Sequence, residues 1–166
     1  MLKLGLFVDI SNQVDALATH KKGHRVNYKT LLDFLTGDGN LLWKTKAYGV
    51  YLTDDGISFI EVLTMLGYQP SFIKVKRPED YPNRCLEIAL DIIDAYTKLD
   101  IVVIGSNSTE FLPLINWLRS RSVRVWVVTP LLCHNGGDVN IDLLFEENIV
   151  EPISSIQTKA ITDGTG

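Results

Sequence analysis

Apolar residues arrive in short blocks, and the polar residues between them repeat a regular alternation. Leu4-Gly5-Leu6-Phe7-Val8 is an apolar run of strand length that stops at Asp9. Asn27 is placed to cap a helix carrying Leu31, Leu32 and Leu35 on one face, with Gly37 ending it. Ala47 to Leu52 reads as a strand, and Ile57 to Leu66 as a helix closed by Gly67. From Ser71 to Lys76, lysines alternate with Ile73 and Val75, which predicts a strand near a sheet edge. After Pro78 and Pro82 a helix is predicted from about Arg84 to Thr97. A strand at Ile101–Ile104, a helix at Glu110–Arg121 and a strand at Val123–Val128 complete the series. Strands alternating with helices predict an α/β fold, a three-layer sandwich with a mostly parallel, Rossmann-like central sheet of about five strands. Right-handed crossovers would then gather the turns that follow the strands at one edge.

The length of 166 residues suits one domain, expected over residues 1–153, with 154–166 as a flexible tail. No apolar run approaches a membrane span, and the first strand is interrupted by Asp9 too early for a signal peptide. Cys85 and Cys133 lack metal-ligand spacing and are too few for a disulfide scaffold, which points to a reducing, cytoplasmic setting. A formal net charge of −4 argues against coating nucleic acid through bulk charge, but leaves room for a basic rim around an acidic pocket.

Three groups of residues are predicted to meet at the strand-end edge. Asp9 closes the first strand and is followed by Asn12; a carboxylate there is costly to bury without a partner. The helix after Arg84 is apolar almost all round, as if buried against the sheet, except for Glu87, Asp91 and Asp94, which share one narrow stripe. The turn Ser106-Asn107-Ser108-Thr109-Glu110 opens the next helix, and capping alone accounts for its hydroxyls. Capping does not explain why acids converge there. Convergent carboxylates suit a hard divalent cation, Mg²⁺ or Mn²⁺.

These residues resemble the NYN branch of the PIN-like nuclease superfamily, which includes LabA-like proteins. Family members begin with a strand ending Phe-Val-Asp-Gly-Ser-Asn, matched by Phe7-Val8-Asp9-Ile10-Ser11-Asn12. Their Ser-Gly-Asp-Ser-Asp-Phe loop, followed by x-Pro-Leu-Ile, is matched without a gap by Ser106 to Ile115. Ser108 stands where the family has its first loop aspartate, and Glu110 replaces the second. The family helix carries two aspartates six residues apart, and two alignments are open. Either Glu87 takes the first place and Ile93 the second, or Cys85 takes the first and Asp91 the second.

The resemblance implies a PIN-like fold and a metal-dependent ribonuclease, hydrolysing RNA phosphodiesters with a reduced acidic site. Asp9, Asp91 and Glu110 would be catalytic, with Mg²⁺ or Mn²⁺ held by Asp9, Glu110 and Asp91 or Glu87. The alternative is a catalytically degenerate module that binds RNA or a protein partner; a homodimer is also open. Asn12, Ser106 and Ser108 would face the substrate. Lys74, Lys76, Arg77 and Arg84 flank the acidic helix as a possible phosphate rim, with Tyr81 offering a stacking face. Lys21, Lys22, His24 and Arg25, after the first strand's turn, read more simply as solvated charges. No Gly-x-Gly-x-x-Gly turn supports dinucleotide binding, and Gln13 breaks the pattern of a metal-dependent adhesion motif.

Overall fold

The computed structural model describes residues 1–20 and 22–129, together with the backbone of the short strands 142–144 and 150–152. The alternation continues through the whole described chain: β1 (Lys3–Asp9), α1 (Ile10–His20), β2 (His24–Val26), α2 (Tyr28–Thr36), β3 (Leu41–Tyr51), α3 (Asp55–Leu66), β4 (Gln69–Lys74), α4 (Cys85–Ala95), β5 (Ile101–Gly105), α5 (Leu112–Ser120), β6 (Arg124–Val128), β7 (Asp142–Leu144) and β8 (Val150–Pro152). One sheet has the order β4-β3-β1-β5-β6-β7, and every pairing in it is parallel. The expected parallel α/β sandwich is present, with the three-residue β7 as an additional edge strand. A separate antiparallel ladder joins β2 to β8.

The layers follow from residue alternation along the strands. Leu4, Leu6 and Val8 of β1 pack with Leu17 of α1, Leu31 and Leu35 of α2 and Leu63 of α3 on one face. Phe7 points the other way, joining Tyr48, Ile88 and Ile92 of α4 and Leu114, Ile115 and Leu118 of α5. The predicted caps are in place: Asn27 accepts the Thr30 N–H at 3.0 Å, and Gly67 takes a left-handed φ of 106° just past α3.

The structure corrects several expectations. Helix α1 follows β1 directly, so Lys22, His24 and Arg25 lie a full helix beyond the first strand's end rather than at its turn. Lys21, Cys133 and the tail 154–166 fall outside the described residues. Strand β3 reaches back to Leu41, because Leu41–Lys46 also pair along β1. Helix α4 is not buried all round. Ile88, Ile92 and Ala95 enter the core, whereas Leu86, Leu90 and Ile93 face solvent, since the sheet covers only one side of the helix. Among the described residues no helix is long and apolar enough to cross a membrane.

Candidate functional site

Chain order reverses at β1, with β3 and β4 laid down on one side and β5 and β6 on the other. The crevice between the carboxyl ends of β1 and β5 is therefore the topological switch point, where open α/β sheets place ligands. Asp9 ends β1 there, and the turn after β5 carries Ser106 to Glu110. The two loops are stitched together. The Asn12 N–H donates to Asp9 Oδ1 at 3.2 Å, and Asn12 Oδ1 accepts the Asn107 N–H at 3.0 Å. Within the turn, Ser106 Oγ accepts from the Ser108 N–H at 3.1 Å, and Ser108 Oγ accepts from the Glu110 N–H at 3.3 Å. Ser106 is buried, so its hydroxyl shapes the turn from inside.

Helix α4 enters this crevice by its first residue. Cys85 Sγ lies 3.7 Å from Ser108 Oγ, and the charges of both Glu110 and Asp9 act on the thiol. Burial, with those acids, pushes the Cys85 thiol up to about 11, so it stays protonated at neutral pH. Asn83 braces the same corner, donating to Glu110 Oε2 at 2.8 Å and accepting the Cys85 N–H at 2.9 Å. The Asn83 bond, joined by one from the Cys85 side chain, holds the Glu110 carboxyl below the usual range.

The four candidate acids fall into two groups. Asp9 and Glu110 flank the Cys85–Ser108 contact. Asp91 instead accepts from Lys46 Nζ and from the Tyr48 hydroxyl of β3, both at 2.6 Å. Burial raises the Asp91 carboxyl, but these two donors outweigh it and hold it below its ordinary value. Glu87 receives two bonds from Arg84, at 2.9 and 2.8 Å, and its carboxyl is lowered by them. The strongest charges acting on Asp9 are Arg84 and Asp15, not Glu87 or Asp91. Asp91 is thus engaged by donors from β3, and Glu87 by Arg84 at the start of α4. Among the described residues, no group of three or more His, Cys, Asp or Glu side chains is arranged to hold a metal ion.

The expected rim also divides. Lys76 and Arg77 are exposed beyond β4, with Arg77 paired only loosely to Asp80 at 3.4 Å. Arg84 is buried, and its guanidinium is committed to Gly49 O, Ser71 and Glu87. It anchors α4 to the ends of β3 and β4 and is not a surface phosphate contact. Cys85, Asn83, Lys46 and Tyr48 were missed by their residue types; only the shifted helix alignment carried a signal for Cys85.

Burial raises the Asp9 carboxyl above its ordinary value, and the Asn12 N–H and Arg84 only partly offset this. A raised acid binds its proton more tightly in the folded chain, so ionised Asp9 lowers stability above the folded pKa. That penalty fades as pH falls toward the unfolded value of 3.8. Asp9→Asn keeps an acceptor for the Asn12 N–H without the charge. Its urea midpoint should exceed the wild type's at pH 7, and the gap should close near pH 4; a variant less stable at pH 7 would refute this.

Comparison with known proteins fits this architecture. A crystal structure of a protein of unknown function from Vibrio parahaemolyticus superposes with a TM-score of 0.72 at 17% identity, covering 90% of this chain and 96% of that one. At that identity the likeness speaks for the fold alone. No curated protein matches the sequence. The family model described as NYN domain matches residues 3–135, which include β1, α4 and the turn after β5. The chain belongs to the NYN domain family.

Proposed function

We propose that this chain is an RNA-binding NYN module whose acidic site has lost the ligand set for the family's divalent ion. NYN nucleases are generally divalent-metal dependent, and NYN domains generally bind RNA. The Cys85–Ser108 contact carries the proposal: with the helix aligned so that Cys85 takes the first acidic place, two positions that are acidic in the family touch each other as a thiol and a hydroxyl. Mg²⁺ and Mn²⁺ require several hard oxygen ligands, usually including carboxylates. A thiol held protonated is a poor ligand for either, and Asp91 and Glu87 are engaged by Lys46, Tyr48 and Arg84. Asp9 and Glu110 remain, a reduced set of carboxylates that would hold the ion more weakly than the acidic set the family resemblance implies.

RNA binding needs less. Lys76 and Arg77 lie past the carboxyl end of β4, in the segment that leads to α4, and the exposed ring of Tyr81 follows them. The Arg77–Asp80 pair is long and exposed, so a phosphate can displace Asp80 at little cost. Fluorescence anisotropy with a single-stranded RNA should show binding that EDTA leaves unchanged and that weakens with salt, by about 0.7 in log–log slope for each phosphate neutralised. Joint Lys76→Glu and Arg77→Glu exchange should weaken it on the order of tenfold. The RNA should stay intact in Mg²⁺ or Mn²⁺. Cleavage that EDTA abolishes and Asp9→Asn removes would establish the enzyme instead, and absence of binding would refute the module.

A further inference from the structure

The amino edge of the sheet, opposite the crevice, gathers a second set of residues. Parallel crossovers return the chain there, so the ends of α4 and α5 lie together with the starts of β3 and β6. Each of the chain's three tryptophans has a cation over its ring. Lys98, in the turn Tyr96–Lys98 that follows α4, lies 5.4 Å from the ring centroid of Trp43, near the start of β3. Arg121, just past α5, lies 3.9 Å from that of Trp117. Tyr96 meets Trp117 edge to face, with centroids 5.0 Å apart. Trp43, the turn Tyr96–Lys98, Trp117 and Arg121 thus form one stripe in which rings and cations alternate. On the other face of the sheet Arg124, opening β6, lies 5.6 Å from Trp126.

These cations keep their charge. Lys98, Arg121 and Arg124 are exposed, and no carboxylate among the described residues pairs with any of them. Lys3, Lys44 and Arg119 add charge at the same edge, so cations there outnumber the exposed acids Asp38, Asp94 and Asp100. In a chain of net charge −4 this is a local reversal of sign. An indole beneath a cation holds the side chain in place while leaving its N–H groups for an anion. Trp43 is 42% exposed and offers part of its ring to a ligand as well.

We infer that the amino edge is a second contact surface for single-stranded nucleic acid. Phosphates meet Lys98 and Arg121, and an unpaired base stacks on Trp43. A duplex hides the faces of its bases, and an acidic peptide has no use for an open indole. The surface is separate from the crevice rim, since the seven residues of β1 place about 20 Å between the two edges. A strand long enough to reach both edges gains from each, whereas a shorter one engages one edge at a time.

Tryptophan emission reads this surface and not the crevice, because no tryptophan stands at the carboxyl edge. Titrating a short, unstructured oligoribonucleotide into the full chain should quench emission saturably, and salt should weaken the effect. Trp43→Leu should remove most of the quenching and weaken this binding on the order of tenfold. Joint Lys98→Gln and Arg121→Gln exchange should also weaken it on the order of tenfold. All three side chains are exposed, and circular dichroism with a melting curve will show whether the folds are intact. Joint Lys76→Glu and Arg77→Glu exchange should leave the quenching midpoint unchanged. Unaltered emission while a labelled oligoribonucleotide still gains anisotropy overturns the inference and leaves the crevice reading standing. Quenching that persists when the Lys76 and Arg77 exchange has no effect on the anisotropy of a long RNA supports it and sinks the crevice rim. Wild-type quenching by the Trp43 variant overturns it, and so does equal quenching by polyglutamate, which would assign the edge to an acidic protein.

Discussion

Arg84→Ala should destabilise the protein by about 3 kcal/mol, lowering the melting midpoint by roughly 6–12 °C. The Arg84 side chain is only 5% exposed, and its guanidinium fork reaches three places at once. It donates to Gly49 O at 3.1 Å, to the backbone carbonyl of Ser71, and to Ser71 Oγ at 2.7 Å, while gripping Glu87 with two bonds. Its charge also lies over the Tyr48 ring, 5.4 Å from the centroid. Truncation would strip two carbonyls of a donor, at roughly 1–3 kcal/mol for each that stays buried. The Glu87 pair adds little, since that carboxylate is 47% exposed and screened. Arg84→Lys should recover only a minority of the loss, because one ammonium cannot serve planar contacts in three directions. A melting midpoint within about 2 °C of wild type for Arg84→Ala would mean that Arg84 does not anchor α4.

Restoring both lost acids, with Cys85→Asp and Ser108→Asp together, should strengthen ion binding at the crevice well beyond that of the wild type. Two new carboxylates would join Asp9 and Glu110 at the crevice, and crowded like charges raise one another's pKa. Without metal the double variant should therefore be less stable than wild type at neutral pH, by about 1–3 kcal/mol, and the deficit should shrink as acidification protonates the cluster. Mn²⁺ relieves the same repulsion. Calorimetry should record Mn²⁺ binding on the order of tenfold tighter, or more, for each carboxylate restored. Thermal unfolding should show the deficit recovered as Mn²⁺ is added, with no comparable effect on wild type. If Mn²⁺ neither binds nor stabilises the double variant, Cys85 and Ser108 do not occupy the places of metal ligands, and the proposed reason for lost catalysis fails.

The sequence alone determined the layered α/β plan, because its signals are local. The apolar run of β1, the Asn27 cap and Gly67 after α3 are each written within a few residues, the last two through backbone hydrogen bonding and backbone sterics. The motif around Asp9 and the turn from Ser106 to Glu110 were legible for the same reason, since each is contiguous and follows a strand. Helix α1 was obscured because Val14, on its apolar pattern, faces solvent and weakens the period. What the acids of α4 do was decided only by tertiary structure. Spacing placed Glu87 and Asp91 on one stripe, but it carried no information about Lys46 and Tyr48, 45 and 43 residues from Asp91, which claim that carboxylate. The helix rotation follows from burying Ile88, Ile92 and Ala95 against the sheet, and that burial turns Cys85 toward Ser108 and leaves Leu86, Leu90 and Ile93 outside. A carboxylate is stabilised by whichever donors the fold brings within reach, and those donors are set by strand order and helix rotation rather than by neighbours in the chain.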